Sequence, residues 1–138
     1  LDVAEGPVAF STVLHDGDRF ITAGRGGVLG TSFDGYNWTE TPTAVADGRY
    51  FSAAWNGSKL MLAGGYGPTI CVQGVCPTFK GPHGMASTDD GVTWDVFNIG
   101  SPLEDGWYDS LGLAWGSGRF VSVGRFWSSG EGMIFTSD

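Results

Sequence analysis

The sequence predicts an all-β fold built from a repeated unit of four short antiparallel strands. Three observations predict it: three stretches of the 138-residue chain align in register, each has a tight turn at the same place, and glycine is frequent, at 24 residues. Glycine and aromatic residues between short apolar runs are typical of β-proteins rich in turns. No helical periodicity persists, and no apolar run is long enough for a membrane-spanning helix.

Each repeat begins with two apolar strands joined by a short polar turn. After the turn come a basic residue, the second strand and a glycine that ends it. The turns pair Asp, Asn or Ser with glycine, which is typical of β-hairpins. The aligned stretches are 11–24, 51–64 and 111–124, and their turns are Asp16-Gly17, Asn56-Gly57 and Ser117-Gly118.

A third and a fourth strand complete the repeat. The fourth strand is predicted at 39–45 in the first repeat and at 95–99 in the second. Four antiparallel strands per repeat form the blade of a β-propeller. The sequence therefore predicts a β-propeller segment of about three blades, at 7–45, 46–101 and 102–138, with the third blade incomplete.

Three blades do not close a ring, since propellers typically need four to eight. Alternate apolar residues such as Phe20, Leu60 and Phe120 are expected to pack blade against blade. We expect the two end blades to be covered by further blades of a larger propeller or by other copies of the chain. Residues 1–5 resemble the last strand of a preceding blade, so the chain is expected to be part of a larger protein.

Two stretches share a motif of Ser, Asp, Gly and Trp. The first turn motif is Ser32 to Trp38 (SFDGYNW), and the second is Ser87 to Trp94 (STDDGVTW). An Asp carboxylate accepts backbone N–H groups in a tight turn, Gly takes positive φ, and Trp covers the turn. We expect Asp34 and Asp89 to accept backbone N–H groups in their own turns, and Trp38 and Trp94 to be largely buried. The assigned residues are Ser32, Asp34, Gly35 and Trp38, then Ser87, Asp89, Gly91 and Trp94, with Asp138 starting a third copy.

The second turn motif matches the pattern S-x-D-x-G-x-T-W at every fixed position. The chain therefore resembles the Asp-box (BNR-repeat) β-propellers, a sialidase-like group that also includes many extracellular proteins without known activity. The resemblance implies a ligand face opposite the Asp boxes, formed by blade connectors and by the loops between second and third strands. Its candidate residues are Arg25, Asp47, Arg49, Tyr50, Asp105, Trp107, Tyr108, Asp109, Arg125 and Trp127.

The charge balance limits the classes of partner. The chain carries 15 acidic and 7 basic residues, for a net charge of −8. Nucleic acids and anionic membranes attract positive surfaces, so the sequence predicts neither as a partner and no membrane insertion. A glycan or protein ligand is compatible with aromatic and carboxylate side chains on one face. No cofactor and no metal site is predicted.

Cys71 and Cys76 are the two cysteines of the chain, and they flank a turn-like Gln73-Gly74. A disulfide that closes this small loop is the favoured interpretation, and it would imply an oxidising compartment. Two free thiols remain an alternative, as does a weaker metal site completed by His83. With the resemblance, this predicts a secreted, extracellular, cell-surface or periplasmic protein.

Whether the protein is an enzyme stays open in the sequence. A sialidase needs three arginines for the substrate carboxylate, but its Arg-Ile-Pro signature is absent here. Glycoside hydrolysis needs two carboxylates, for which Glu104, Asp105 and Asp109 are candidates. We predict a non-catalytic module that binds glycan or protein or serves a structural role. The alternative is part of a glycoside hydrolase whose catalytic residues lie partly outside this chain.

Overall fold

The computed structural model describes residues 9–43, 49–65, 83–87, 91–98, 108–126 and 129–137, and these contain eleven strands and no helix. The strands are β1 (Phe10–His15), β2 (Phe20–Gly24), β3 (Val28–Ser32), β4 (Thr39–Pro42), β5 (Arg49–Trp55), β6 (Leu60–Gly65), β7 (His83–Ser87), β8 (Asp95–Asn98), β9 (Tyr108–Gly116), β10 (Arg119–Phe126) and β11 (Gly132–Thr136).

The strands follow one another as antiparallel meanders. In the first blade β1, β2, β3 and β4 pair in sequence order, and in the second blade β5 to β8 do the same. In the third blade β10 lies between β9 and β11. Strands β1, β5 and β9 are neighbours in that order, so the blades meet along their first strands. The predicted all-β fold of four-stranded, propeller-like blades, the third incomplete, is confirmed.

Short polar loops close the hairpin of each blade, as the sequence predicted. The side-chain Oδ1 atoms of Asp16 and Asn56 each accept the backbone N–H groups two and three residues later, at 2.9 and 2.9 Å for Asp16 and at 3.0 and 2.7 Å for Asn56. The third hairpin instead has positive φ at Ser117 (49°) and Gly118 (77°), the signature of a type I′ turn. Two kinds of turn thus serve the same position.

A β-bulge that was not predicted from the sequence recurs at one place in all three blades. The first strand of each blade has one residue more than its partner near its start, and this residue is Ser11, Phe51 or Leu111. Opposite the first two bulges lie Gly24 and Gly64, where an added Cβ would come within 1.9 Å of a carbonyl oxygen across the ladder. Gly24 and Gly64 are therefore required by close backbone approach.

The core consists of two layers, one on each side of the second blade. Alternate residues of β6 point to opposite sides: Leu60 and Leu62 face the first blade, while Met61 and Ala63 face the third. The first layer also contains Ile21, Ala23, Leu29 and Tyr50, and the second also contains Ala54 and Phe120. The predicted blade-to-blade packing of Leu60 and Phe120 is confirmed.

The first and third blades each turn one face away from the second blade. We call this face of the first blade the leading face and this face of the third blade the trailing face. In the described part of the chain no strand covers either face, and Phe20, expected to be packed between blades, is 36% exposed for this reason. The leading face carries Phe10, Val13, Phe20, Thr22 and Trp38, and the trailing face carries Ala114, Val121, Val123 and Ile134.

Candidate functional site

The topology divides the loops between two ends of the blades. The hairpin end contains the β1–β2, β5–β6 and β9–β10 turns and both turn motifs. The connector end contains the first residues of β1, β5 and β9 and the last residues of β2, β6 and β10. Because antiparallel strands alternate in direction, this division follows from the strand order. The predicted ligand face corresponds to the connector end.

Backbone pairing brings four of the predicted site residues to the connector end. Arg25, just after β2, forms an isolated antiparallel bridge with Arg49 at the start of β5. In the next pair of blades, Gly65 at the end of β6 pairs with Asp109 of β9. Asp109 in turn pairs with Arg125 on β10. At this end, backbone bridges therefore connect consecutive blades at equivalent positions.

Two arginines lie side by side where the first and second blades meet. Arg25 is exposed and Arg49 is half-buried, and neither has an ion-pair partner among the described residues. Like charges directly opposite each other in a ladder are destabilising. A guanidinium group is suited to bidentate contact with a carboxylate. This pair is the best candidate for an anion-binding element. Its signal in the sequence is the position of Arg25 directly after Gly24, the glycine that ends β2.

Tyr50 was assigned to the ligand face, and that assignment is wrong. Its side chain is fully buried, at 0% exposure, in the core layer between the first two blades. Burial raises the pKa of the Tyr50 hydroxyl, while a side-chain hydrogen bond with Thr43 acts in the opposite direction. The Ser11 hydroxyl, on the bulge of the first blade, donates to the Tyr50 carbonyl. Tyr50 therefore joins two blades instead of facing a ligand.

The backbone positions of Tyr108 and Asp109 are at the start of β9, as expected for the connector end. Arg125 is exposed at the matching end of β10. The remaining assigned residues lie outside the described residues, so their predicted roles stay predictions. They are Asp47, Asp105, Trp107 and Trp127 of the ligand face, Asp89 and Asp138 of the turn motifs, and Cys71 and Cys76 of the predicted disulfide.

Asp34 organises the first turn motif, as predicted. Its Oδ1 accepts the backbone N–H groups of Tyr36 and Asn37, both at 2.8 Å, and its Oδ2 accepts the Asn37 side-chain amide at 2.8 Å. The Ser32 hydroxyl donates to Oδ1 at 3.1 Å and accepts the Gly35 N–H at 2.9 Å. The hydrogen bonds from the Asn37 backbone and side chain, followed by that from Tyr36, hold the pKa of Asp34 well below its usual range.

The second turn motif repeats the Ser and Trp contacts of the first. The Ser87 hydroxyl accepts the Gly91 N–H at 2.9 Å, and the Trp94 Nε1 donates to the Gly91 carbonyl at 2.9 Å. In the first motif the Trp38 Nε1 donates to the Gly35 carbonyl at 3.3 Å. The hydrogen bonds of Gly with Ser and with Trp are thus the same in the two blades, even though the second loop is one residue longer.

The two Trp residues differ in burial, and this corrects one prediction. Trp94 is half-buried against the core layer between the first two blades. Trp38 was also expected to be largely buried, but it is 41% exposed. Its ring lies near Gly30 on the leading face, where none of the described strands packs over it.

The described residues contain no group of three or more His, Cys, Asp or Glu side chains arranged to hold a metal ion. Within the same residues there is no helix long and apolar enough to cross a membrane.

The sequence matches no known protein family, and no curated protein matches it. Among solved structures, the chain is similar to the WD40 β-propeller domain of Doa1, with 15% sequence identity and a TM-score of 0.48. The match covers 91% of this chain and 40% of the other, so the chain spans less than half the length of the structure it matches. The description of propeller-like blades rests on the strand order and packing of the chain itself.

Proposed function

We propose that the chain is a segment of a non-catalytic, secreted β-propeller of the Asp-box type. Its role is to bind a glycan or a protein at the connector end through a carboxylate group of that ligand. A propeller-like fold by itself suggests a binding or structural module. Functional groups of such scaffolds are found mainly on loops held in place by rigid strands.

The observation that carries the proposal is the Arg25–Arg49 bridge. The bridge pairs the backbones of two arginines at the junction of two blades, and residues directly opposite each other in a ladder have neighbouring side chains. Their mutual repulsion is relieved when an anionic group binds between them. The chain has a net charge of −8, so two neighbouring arginines without an ion-pair partner among the described residues are a distinct feature of its surface. A sugar carboxylate or an acidic side chain has the charge and geometry to bind there.

The Asp-box assignment is supported by the turn chemistry. In both turn motifs a Ser hydroxyl accepts the Gly N–H, and a Trp ring nitrogen donates to the carbonyl of the same Gly. The secreted assignment rests on the predicted pairing of Cys71 with Cys76. Mass spectrometry of a non-reduced digest tests it, because two alkylatable thiols would contradict it.

The binding proposal is tested on a glycan array that displays sialylated and uronic-acid glycans beside their neutral counterparts. We expect the chain to bind carboxylate-bearing glycans in preference to neutral ones. The double variant Arg25→Ala/Arg49→Ala should lose affinity by about tenfold or more, since charge-assisted hydrogen bonds contribute about 1.5–3 kcal/mol each. Titration of the double variant with the best glycan measures this loss.

The double variant Lys59→Ala/Arg119→Ala is the matched control. It also removes two exposed positive charges, both at the hairpin end, and should leave binding unchanged. Equal losses in the control and in Arg25→Ala/Arg49→Ala would mean that only net charge matters, which contradicts a site at the connector end. Turnover of an aryl glycoside by the same preparation would favour the glycoside hydrolase alternative instead.

A further inference from the structure

The leading and trailing faces are the two surfaces of the blade stack that none of the described strands covers. Both carry large exposed apolar side chains: Val13 is 64% exposed and Phe20 36% on the leading face, while Val123 is 45% exposed and Ile134 74% on the trailing face. The strand registers also place exposed His15 and Glu40 on the leading face and exposed Arg125 and Thr136 on the trailing face. Contiguous exposed apolar surface of this kind marks interaction sites. The internal symmetry of the chain indicates what fits each face.

Equivalent strand positions have equivalent directions in all three blades. Counting from the first residue of the aligned second strands, positions one and three face the preceding blade, and positions two and four face the following blade. Positions one and three are Phe20 and Thr22, Leu60 and Leu62, and Phe120 and Ser122, whereas positions two and four are Ile21 and Ala23, Met61 and Ala63, and Val121 and Val123.

Both interfaces inside the chain are therefore of one kind. The trailing side of the first blade packs on the leading side of the second, and the trailing side of the second packs on the leading side of the third. The trailing face of the third blade uses the same strand positions that are buried in these interfaces. By the same equivalence, the leading face of the first blade is suited to pack against the trailing side of another blade.

We propose that two copies of this chain associate head to tail, the leading face of each copy covering the trailing face of the other. The two copies form a closed ring of six blades around a two-fold axis. Six lies within the four to eight blades from which propellers are built. The three blades of one copy are too few to close a ring. Because the contact joins two different faces, further copies could add to an open stack, and closure of the ring after two copies is what stops this growth.

One pair of residues is placed to test this contact. Val13 occupies the position of Ala53 in the second blade, and Val123 occupies the position of Ala23 in the first. Ala53 packs against the core layer that contains Ala23. By equivalence, Val13 of one copy lies at the interface opposite Val123 of the other.

The test measures molar mass by sedimentation over a range of concentrations. The unaltered chain should reach twice the mass of one chain. Val123→Glu and Val13→Lys should each raise the dimer dissociation constant by about tenfold or more, because each buries an unpaired charge in both interfaces. A mixture of the two variants should regain dimers, since one interface then joins Glu to Lys and the other is unaltered.

Val92→Glu is the control, since Val92 is 78% exposed in the second turn motif and lies on neither face. It should leave the mass unchanged, and circular dichroism should find all three variants folded. A chain that stays monomeric, or forms trimers, overturns the proposal and leaves further blades as the cover of these faces. So does loss of dimers in only one of the two charged variants, or a mixture that stays monomeric.

Discussion

The second blade and its two neighbours have the same strand pattern but different surroundings. In β6 the four successive residues from Leu60 to Ala63 are buried, with exposures from 0 to 8%. In the matching strand of the third blade, Phe120 is 7% exposed and Val123 is 45% exposed. Alternation along a strand thus sets which way a side chain points, whereas burial depends on whether another blade lies on that side.

The same difference separates the two turn motifs. The second motif lies against the first blade, where a side chain added at Gly91 would come 3.0 Å from Leu29. The first motif is at the open side of the stack, and its Trp38 is exposed. The same hydrogen bonds of Gly with Ser and Trp therefore occur in a turn that is anchored in one blade and in a turn that faces solvent in the other.

The largest expected effect compares Leu60→Ala with Phe20→Ala at the same position of the first blade. Leu60 is 1% exposed in a core layer, so its truncation should lower the free energy of unfolding by about 2–5 kcal/mol. Phe20 is the larger side chain, but none of the described strands covers the face on which it lies. Its truncation should therefore have the smaller effect. Urea unfolding at concentrations where sedimentation finds monomers measures both. An equal or larger loss for Phe20→Ala would break the comparison.

Much of the fold follows from local sequence signals. The hairpin turns, the strand order and the Asp34 turn depend on residues within a few positions of each other, and all are found as predicted. The shared bulge was not predicted because it depends on pairing between strands. Its only local trace is the glycine at 24, 64 and 124.

The site was less predictable than the fold. Tyr50 follows a polar connector in the sequence, which suggested a ligand-facing ring, yet its place as the second residue of β5 directs it into the core. The Arg25–Arg49 pair joins residues 24 positions apart in two different blades. Such a contact requires the position of one blade on the next, which no local motif specifies.

The second expected effect concerns acid stability of the first turn motif. Because the pKa of Asp34 is lowered on folding, its carboxylate stabilises the fold above the ordinary Asp pKa of about 3.9, and this contribution is lost as pH falls further. The unfolding midpoint of Asp34→Asn should be well below that of the unaltered chain at pH 7. The two midpoints should converge as the pH is lowered toward 2.

A second variant and a second acid sharpen this measurement. Asn37→Ala keeps the carboxylate but removes one of its hydrogen bonds, so it should retain a weaker pH dependence. In Asp16 partial burial acts to raise the pKa, but hydrogen bonds from Arg19 and Asp18 outweigh it and lower the pKa. Asp16 is present in every variant, so the difference between variants reports on Asp34. A difference that does not change between pH 7 and pH 3 would contradict the role of its charge.

The smallest expected effect is at the hairpin of the third blade. Ser117 has a φ of 49° at the position that Gly17 and Gly57 occupy in the other blades. A left-handed conformation costs about 1–2 kcal/mol in most residues, and Asn adopts it more readily than Ser. Ser117→Asn creates the Asn-Gly pair favoured in type I′ turns and should raise the free energy of unfolding by up to about 1 kcal/mol. Ser117→Val should lower it, because a β-branched residue is strained at positive φ. Urea unfolding of both variants measures the change. If both variants are equally stable, the third hairpin does not need its left-handed residue, and the difference between it and the other two hairpins has no energetic consequence.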